Sequence, residues 1–315
     1  MSDRGAIRVG ISGWRYAPWR GEFYPDGWDQ DRELEFAAGH FGAVEINGTF
    51  YSLQAASSFR RWHDATPRGF RFAVKGSRYL THMKKLKDAE VGLANFFAQG
   101  VLALEAKLGP ILWQLPPNLG FDAARLTDFL DALPRHTEDA AALARRCDPD
   151  KLDGEVVAET GARRTIHHAL EVRHATFACE EVVALCREQG VALVVSDAPE
   201  AWPYLEDVTA GFLYVRMHGS EGSPTYHGRY AREALDQLAA KVDRWSQGGE
   251  PQDAERVHPE RAPKRARRDV YVFFDNSEKV HAPYDALALA ERLGLDTHGG
   301  DLSPPPGRRD GEAGA

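Results

Sequence analysis

Short apolar runs alternate with longer amphipathic segments along this chain, and that alternation restricts its fold more than any other feature. Eight runs are too short and too apolar for amphipathic helices and are rich in β-branched and aromatic residues, which predicts strands. The predicted strands are residues 7–11, 43–47, 70–75, 110–115, 168–173, 191–196, 212–217 and 270–274.

The segments between these runs have helical spacing. The predicted helices are residues 31–41, 57–65, 90–108, 123–133, 177–189, 229–246 and 284–293. Strict alternation of strands and helices implies parallel strands joined by right-handed crossovers. Eight such units favour the α/β class, as a single eight-stranded parallel β/α (TIM-like) barrel, over an open doubly wound sheet.

We expect one barrel domain over residues 6–296, with two insertions and a tail. The first insertion, 135–166, separates strands four and five and contains a predicted helix at 137–146. The second, 247–269, precedes strand eight, and its basic run 261–268 is a candidate contact for an anionic partner. Because no aromatic residues interleave with these charges, a solvated, disordered insertion is the preferred interpretation. The Pro/Gly-rich tail, 297–315, is predicted to be disordered.

Composition restricts the function classes. A net charge of −8 disfavours a nucleic-acid partner unless a local basic groove exists. The three cysteines have no metal or disulfide spacing, which predicts reduced thiols. We find neither a signal-like segment nor an apolar run of about 20 residues, so we expect a cytoplasmic protein without a membrane partner. Motifs for dinucleotides, ATP and serine hydrolases are also missing from the sequence.

Polar residues follow seven of the eight predicted strands. In a β/α barrel the functional face is the carboxyl end of the strands, so these residues are the candidates for a site. The candidate catalytic residues, as carboxylate or imidazole acids and bases, are Glu45, Glu171, His218 and Asp275. The candidate substrate-binding residues are Asn47, Tyr51, Lys75, His82, Gln114, Arg173, His174, Asp197, Arg216, Tyr226 and Asn276.

Charged residues at these positions are costly to bury unless they are paired. For any one of them, a structural ion network is as good an explanation as a functional role. The whole ring favours function, because a barrel core otherwise consists of Val, Ile and Leu.

Several of these strand ends belong to longer motifs. The motifs are VGISGW at 9–14, VEINGTFY at 44–51, WQLPP at 113–117, LEVRH at 170–174, YVRMHG at 214–219 and FFDN at 273–276. Together they resemble the YecE-like family (domain of unknown function family 72), whose members are β/α barrels without an assigned activity. The resemblance extends over roughly residues 7–295. It implies the barrel and brings no reaction with it.

The preferred hypothesis is an enzyme that applies acid/base chemistry to a small anionic substrate bearing phosphate or carboxylate. Lys75, Arg173 and Arg216 would clamp the anion. A hydrolase, lyase or isomerase is the most plausible type. No cofactor is predicted, and a divalent metal is the less favoured alternative because three cationic side chains share the same rim.

Two other hypotheses remain open. A nucleic-acid-binding or processing barrel would use the same cations for phosphates and stack bases on the aromatic residues Trp14, Tyr16, Trp19, Tyr51 and Tyr79. A non-catalytic binding protein would use the same pocket for a small ligand. The sequence predicts no oligomeric state.

Overall fold

The computed structural model describes residues 4–198, 201–219, 225–276 and 281–296. Over these ranges, nine strands pair in parallel as one sheet, in the order β6-β5-β4-β3-β2-β1-β9-β8-β7. The strands are β1 Ile7–Ser12, β2 Ala43–Ile46, β3 Arg71–Lys75, β4 Leu108–Gln114, β5 His168–Glu171, β6 Ala192–Leu193, β7 Val195–Asp197, β8 Phe212–Met217 and β9 Asp269–Phe274.

The strand count is nine where eight were predicted, because the segment 191–196 forms two short strands. β6 pairs with β5, whereas β7 pairs with β8. Val194 lies between them and donates its N–H to the Leu170 carbonyl at 3.0 Å. The two ends of the sheet are therefore separated by one residue of chain, and the parallel sheet curls into a nearly closed barrel. The predicted barrel architecture is supported, and the error in the count comes from this change of pairing partner.

Nine α-helices accompany the strands in the described ranges. They are α1 Glu33–His40, α2 Gly48–Tyr51, α3 Ala56–Asp64, α4 Ala89–Ala98, α5 Ala123–Asp131, α6 Thr137–Ala144, α7 Glu180–Gln189, α8 Arg232–Ser246 and α9 His281–Arg292. The helix predicted within the first insertion is confirmed as α6. None of the described helices is long and apolar enough to cross a membrane.

The single helix predicted over 90–108 is wrong. α4 ends at Ala98, and a 3-10 helix, Val101–Lys107, follows it. Gly100 lies at the break with a φ of 129°, and a Cβ there would approach Phe59 to 2.7 Å and the Ala56 Cα to 2.9 Å. Close packing against α3 therefore requires a glycine in a conformation that ends the helix.

The barrel interior combines small and large side chains. The residues clustered there are Ala43, Ala73, Leu112, Ala169, Ala192, Val194, Ala210, Phe212, Tyr214, Tyr271 and Phe273. Four of the five strands from β2 to β6 contribute an alanine to this layer, while β8 and β9 together contribute four aromatic rings. The rings fill the space that the alanines leave open, and the polar ends of the strands lie beyond this packed layer.

The second insertion, expected to be a disordered segment, is held in place by buried carboxylates. Asp207 accepts hydrogen bonds from the N–H groups of Val257 at 2.9 Å and His258 at 3.1 Å. Glu250 accepts one from the N–H of Ala262 at 2.9 Å. Even Arg268, the last residue of the basic run, is only 2% exposed. The expectation of disorder is wrong, because the charge and glycine content of a segment give no information on the hydrogen bonds that its backbone N–H groups make with distant carboxylates.

Candidate functional site

Arg216, near the end of β8, is the centre of a buried group of charges. Its Nη2 lies 2.8 Å from Glu45 Oε1 and 3.0 Å from Asp275 Oδ2, and its Nη1 lies 2.9 Å from Glu171 Oε2. Burial alone would lower the pKa of Arg216, but these three carboxylates outweigh it and hold the pKa well above its ordinary value. One guanidinium thus joins residues from β2, β5, β8 and the end of β9. We call Glu45, Glu171, Arg173, Arg216, His218 and Asp275 the charge cluster.

The Glu45 carboxylate is saturated with hydrogen bonds. Tyr214 donates its hydroxyl to Oε2 at 2.6 Å, Arg216 Nε donates to the same oxygen at 3.1 Å, and the Ser12 hydroxyl donates to Oε1. Burial, and then the Glu45 charge, raise the pKa of Tyr214 well above its usual value, so the phenol keeps its proton. Glu45 is 0% exposed, and its side chain contacts Arg216 through both carboxylate oxygens.

Glu171, at the end of β5, connects three further groups. Its Oε1 lies 2.8 Å from His218 Nε2, 3.1 Å from Ser196 Oγ and 3.2 Å from Arg173 Nη2. Burial would raise the pKa of Glu171, but Arg173, Arg216 and His218 together hold it well below the ordinary value. The group is therefore a carboxylate at neutral pH and accepts hydrogen bonds from all these neighbours.

His218 follows β8 and lies between two carboxylates. Burial, and then the Arg216 charge, lower the pKa of His218, while Glu171 opposes the shift. The imidazole is therefore neutral at neutral pH. Because the Glu171 carboxylate can only accept, the single proton sits on Nε2, and Nδ1 keeps its lone pair. Within the described residues, Nδ1 has no hydrogen-bond partner, and Asp275 Oδ2 is 3.7 Å away.

Three basic side chains lie together on one side of the cluster, and we call Lys75, His82 and Arg173 the cationic face. The Arg173 guanidinium lies 3.6 Å from the centre of the Trp202 ring, and Lys75 Nζ lies 4.4 Å from that of Phe50. Burial, and then Arg216, lower the pKa of Lys75 to about 8. Burial, and then Arg173, lower the pKa of His82 to about 4. Burial and crowding by like charges therefore disfavour the protonated form of both side chains.

Exposure separates the inner charges from those that a ligand can reach. Glu45 and Glu171 are 0% exposed, whereas Lys75 is 7%, Arg173 is 8% and Asp275 is 9% exposed. The inner residues form a sealed ion network, and the other three reach its surface. Contact with a small molecule is therefore open to Lys75, Arg173 and Asp275.

Three other predicted residues lie at the same end of the barrel. Gln114 is in register with Glu171 in the neighbouring strand. Burial, and then Asp197, raise the pKa of Tyr230 well above its ordinary value, which puts the Asp197 carboxylate beside that phenol. Tyr226 has a φ of 72° and packs edge-on against the His218 ring, with centroids 5.3 Å apart.

The remaining predicted residues have local contacts outside the cluster. His174 Nδ1 lies 2.8 Å from Thr176 Oγ1 and caps a short 3-10 helix. Asn276 donates to Asp285 Oδ2 at 2.7 Å and to the Gly228 carbonyl at 3.0 Å, so it connects α9 to the loop that contains Gly228. Tyr51 is 68% exposed and lines a cavity beside the cluster.

Sequence reasoning missed four residues that complete the cluster. Tyr214 shares its strand face with Arg216, and alternation along β8 was the signal that could have found it. Ser12 is in register with Glu45 in the neighbouring strand, a pairing that the sequence does not give. Ser196 ends the segment whose pairing was not anticipated. Trp202 lies outside every strand, and the sequence holds no signal for its stacking on Arg173.

The described residues hold no set of three His, Cys, Asp or Glu side chains arranged to bind a metal ion. The three carboxylates of the charge cluster surround the Arg216 guanidinium instead. Cys147, Cys179 and Cys186 form no disulfide.

The sequence as a whole matches one family model, described as "Protein of unknown function DUF72", over residues 8–309. This chain belongs to the DUF72 family. The predicted resemblance to YecE-like proteins is thereby confirmed, and the description attaches no activity to the family.

The names of curated relatives of this DUF72 member likewise assign no activity. It is 33% identical over 102 residues to the UPF0759 protein YecE of Escherichia coli K12, covering 32% of this chain and 37% of the relative. It is 27% identical over 116 residues to the UPF0759 protein YunF of Bacillus subtilis, covering 35% and 40%. The chain thus aligns with well under half the length of these relatives.

Solved structures of DUF72 proteins share the fold. One from Thermotoga maritima has a TM-score of 0.68 and 25% identity, covering 92% of this chain and 99% of that chain. One from Enterococcus faecalis has a TM-score of 0.67 and 18% identity, covering 92% and 96%. The barrel is therefore the fold that this chain shares with these family members.

Proposed function

We propose that this protein is an enzyme that binds a small carboxylate- or phosphate-bearing substrate at the cationic face and moves a proton through Asp275 and the buried His218 behind it. The observation that carries the proposal is the state of Lys75. The residue is only 7% exposed, its Nζ packs against the Phe50 ring, and no described residue forms a hydrogen bond or an ion pair with it.

An anion would supply the missing partner for this face. Arg173 donates Nη2 to Glu171, while its Nε has no acceptor among the described residues. Arg216 is fully occupied by carboxylates, so the anion contacts fall to Lys75 and Arg173, with His82 beside them. Two neighbouring cations with low exposure attract carboxylate or phosphate strongly because little solvent screens them.

The groups next to this face suit proton transfer. Glu171 orients a neutral His218 through its Nε2–H, which leaves Nδ1 as a proton acceptor. This is the arrangement by which a carboxylate fixes the tautomer of a catalytic histidine. Asp275, partly exposed and beside His218, is the second candidate base.

The first experiment identifies the anion. The protein is purified and its bound small molecules are determined by mass spectrometry, and phosphate and a panel of carboxylates are then titrated by calorimetry. We expect binding by wild-type protein that Lys75→Met abolishes. Lys87→Met is the matched control, because Lys87 is exposed on the segment that follows β3. Unchanged anion binding in Lys75→Met would refute the proposed anion site.

A second experiment separates an enzyme from a binding protein. Once the ligand is known, His218→Gln and Glu171→Gln are compared with wild type for binding and turnover. We expect turnover to fall by roughly two to four orders of magnitude, with substrate affinity nearly unchanged. Both variants are checked by circular dichroism, and the His218 variant leaves the Glu171–Arg216 pair intact if Glu171→Gln fails to fold. Turnover equal to wild type in a folded His218→Gln protein would leave only a binding role.

A further inference from the structure

The backbone of Lys75 is fixed at the carboxyl end of β3. Lys75 is the last residue of the strand and is in register with Leu112 of β4. Its carbonyl accepts a hydrogen bond from the Thr49 hydroxyl at 2.6 Å. Catalytic groups of β/α barrels lie at this end of the strands. The side chain of Lys75 therefore starts from a rigid position at the functional end of the barrel.

The amine of Lys75 is unpaired without being sealed from solvent. Across the described ranges, Nζ forms no hydrogen bond and no ion pair. His218 Nδ1 and Arg173 Nε also lack hydrogen-bond partners there, and both of these atoms are cut off from solvent. Lys75 Nζ is not among the sealed atoms, and the residue is 7% exposed. A molecule of a few atoms can therefore reach this nitrogen.

The surroundings of Lys75 favour the free amine. Its Nζ lies 4.4 Å from the centre of the Phe50 ring. Burial, and then the Arg216 charge, lower the pKa of Lys75 from 10.5 to about 8, so about a tenth of the side chain is uncharged at pH 7. Removal from water and a neighbouring cation are the two means by which proteins activate a lysine as a nucleophile. A lysine kept only to bind an anion gains nothing from either.

The groups around this amine suit a substrate with an acid group and a carbonyl. Lys75 and Arg173 both act on His82 and lower its pKa, so the three share one face. Arg173 can hold a carboxylate through its guanidinium. The charge of Asp275 acts on Lys75, and Asp275 is 9% exposed, so it can carry protons to and from a bound molecule.

We propose that Lys75 is a nucleophile that forms an imine with the carbonyl carbon of a 2-oxo acid, whose carboxylate binds at the cationic face. This inference rests on the anion site of the proposed function and adds to it a substrate class and a covalent step. In a 2-oxo acid the carbonyl carbon is bonded directly to the carboxylate, so one small molecule can engage both the Arg173 guanidinium and the Lys75 amine.

The step balances without a cofactor or an oxidant. The Lys75 ammonium gives one proton to Asp275, and its nitrogen lone pair attacks the carbonyl carbon, which forms a C–N bond and moves the π electrons to oxygen. The oxygen receives the proton held by Asp275 and a second proton from nitrogen. The C–O bond then breaks, water leaves, and the nitrogen lone pair completes a protonated C=N bond. This group withdraws electrons from the next carbon of the substrate, which prepares that carbon for loss of a proton.

The imine can be trapped by reduction. Wild-type protein is incubated at pH 7 with pyruvate and cyanoborohydride, and chymotryptic peptides are mapped by mass spectrometry. We expect Lys75 to gain a reduced pyruvyl group at least about tenfold faster than Lys87, because burial and Arg216 free its amine at this pH. Lys87 is the matched control, since it is exposed on the segment that follows β3. Labelling of Lys75 no faster than that of Lys87 would overturn the proposal.

Methyl pyruvate tests the substrate class, because it keeps the carbonyl and lacks the charge. The label on Lys75 is divided by the label on Lys87 in the same digest, which removes the difference in reactivity between the two reagents. We expect this ratio to be higher for pyruvate, since only its carboxylate can be held by Arg173. Equal ratios for the two reagents would exclude a 2-oxo acid as the substrate.

Lys75→Arg keeps a cation at this position and removes the nucleophile. We expect the folded variant, checked by circular dichroism, to bind phosphate in calorimetry and to lose the fast labelling by pyruvate. Fast labelling that persists in this variant would place the nucleophile elsewhere and end the inference. If the variant does not fold, the peptide map of wild-type protein decides alone.

Phosphate separates this inference from the proposed function, because it is an anion that cannot form an imine. Phosphate binding to wild-type protein whose Lys75 is not labelled by pyruvate refutes the imine and leaves the anion site. Fast labelling of Lys75 in a protein that binds no phosphate and shows no preference for pyruvate over its methyl ester refutes the anion site and leaves only a nucleophilic lysine.

Discussion

Two buried cations of this barrel, Arg216 and Lys75, have opposite electrostatic surroundings. Arg216 is surrounded by three carboxylates, and removal of one partner of such a buried pair typically costs about 3–5 kcal/mol because a charge is left uncompensated. Lys75 has no carboxylate within ion-pair distance among the described residues, and burial is the largest cause of its lowered pKa. Loss of Arg216 would thus destabilise the folded chain, whereas Lys75 is retained at the expense of stability.

Replacement of Lys75 by methionine is therefore expected to stabilise the protein. The pKa of Lys75 falls from 10.5 to about 8, and one pKa unit corresponds to about 1.4 kcal/mol, so the gain at pH 7 should be about 1–3 kcal/mol. Urea denaturation of Lys75→Met and wild type measures the difference, with Lys87→Met as the control that should change it by less than about 0.5 kcal/mol.

The same variant has a defined pH dependence. Between pH 8 and 10.5 the unfolded wild-type chain holds the Lys75 proton and the folded chain has released it, so wild-type stability rises with pH in this window. The advantage of Lys75→Met should therefore shrink as the pH rises from 8 towards 10.5. A gain that stays constant across these pH values would contradict the assigned pKa.

Among the elements, the second insertion shows how a segment without helix or strand becomes fixed. Buried carboxylates of Glu206, Asp207 and Glu250 accept the N–H groups of its backbone, as a strand or helix partner would. Buried donors and acceptors that lose their partners cost about 1–3 kcal/mol each, so the attachment of this segment depends on a few residues.

Asp207→Ala is expected to release the segment. It removes the acceptor for the Val257 and His258 N–H groups, and the segment contains several arginines at which trypsin cleaves. Limited proteolysis should then cut within residues 256–267 about tenfold faster than in wild type. Asp253→Ala is the control, since Asp253 is exposed on the same segment. Cleavage of Asp207→Ala at the wild-type rate would contradict this account of the attachment.

At the scale of the whole molecule, the number of paired residues differs from one pair of neighbouring strands to the next around the barrel. β8 and β9 are in register over six residue pairs, whereas β5 and β6 share two and β7 and β8 share three. The barrel closes at a seam, which we define as residues 192–197, where one chain segment changes partners.

Hydrogen exchange should detect this seam. Short pairing leaves fewer ladder hydrogen bonds to break before an amide exchanges, so local opening needs less free energy there. We expect peptides covering 192–197 to exchange at least about tenfold faster than peptides covering 269–274, as measured by mass spectrometry. Equal protection of the two regions would show that the seam opens only when the entire barrel unfolds.

Much of the fold follows from local patterns. Seven predicted strands and the helix in the first insertion correspond to single elements, because apolar runs and turn residues are local signals. The division at Val194 was not predictable, since it depends on which strands lie on either side. The residues of the site could be predicted from their positions at strand ends. Which of them form hydrogen bonds and ion pairs with each other could not. Nothing in the sequence near Arg216 indicates that Glu45, Tyr214 and Ser12 share one hydrogen-bonded group.

The pairing of Glu45 with Arg216 has a consequence for the synthesis of the chain. The two residues are 171 positions apart, and at a translation rate of about 5–20 residues per second the arginine emerges roughly 10–30 s after the glutamate. Throughout that interval the nascent polypeptide carries a carboxylate destined for a dry interior, and the arginine that contacts both of its oxygens has not yet been made. Premature collapse around β2 is therefore penalised until the β8 codons have been read, and a message truncated before them yields a product in which Glu45 lacks its hydrogen-bonded counter-ion.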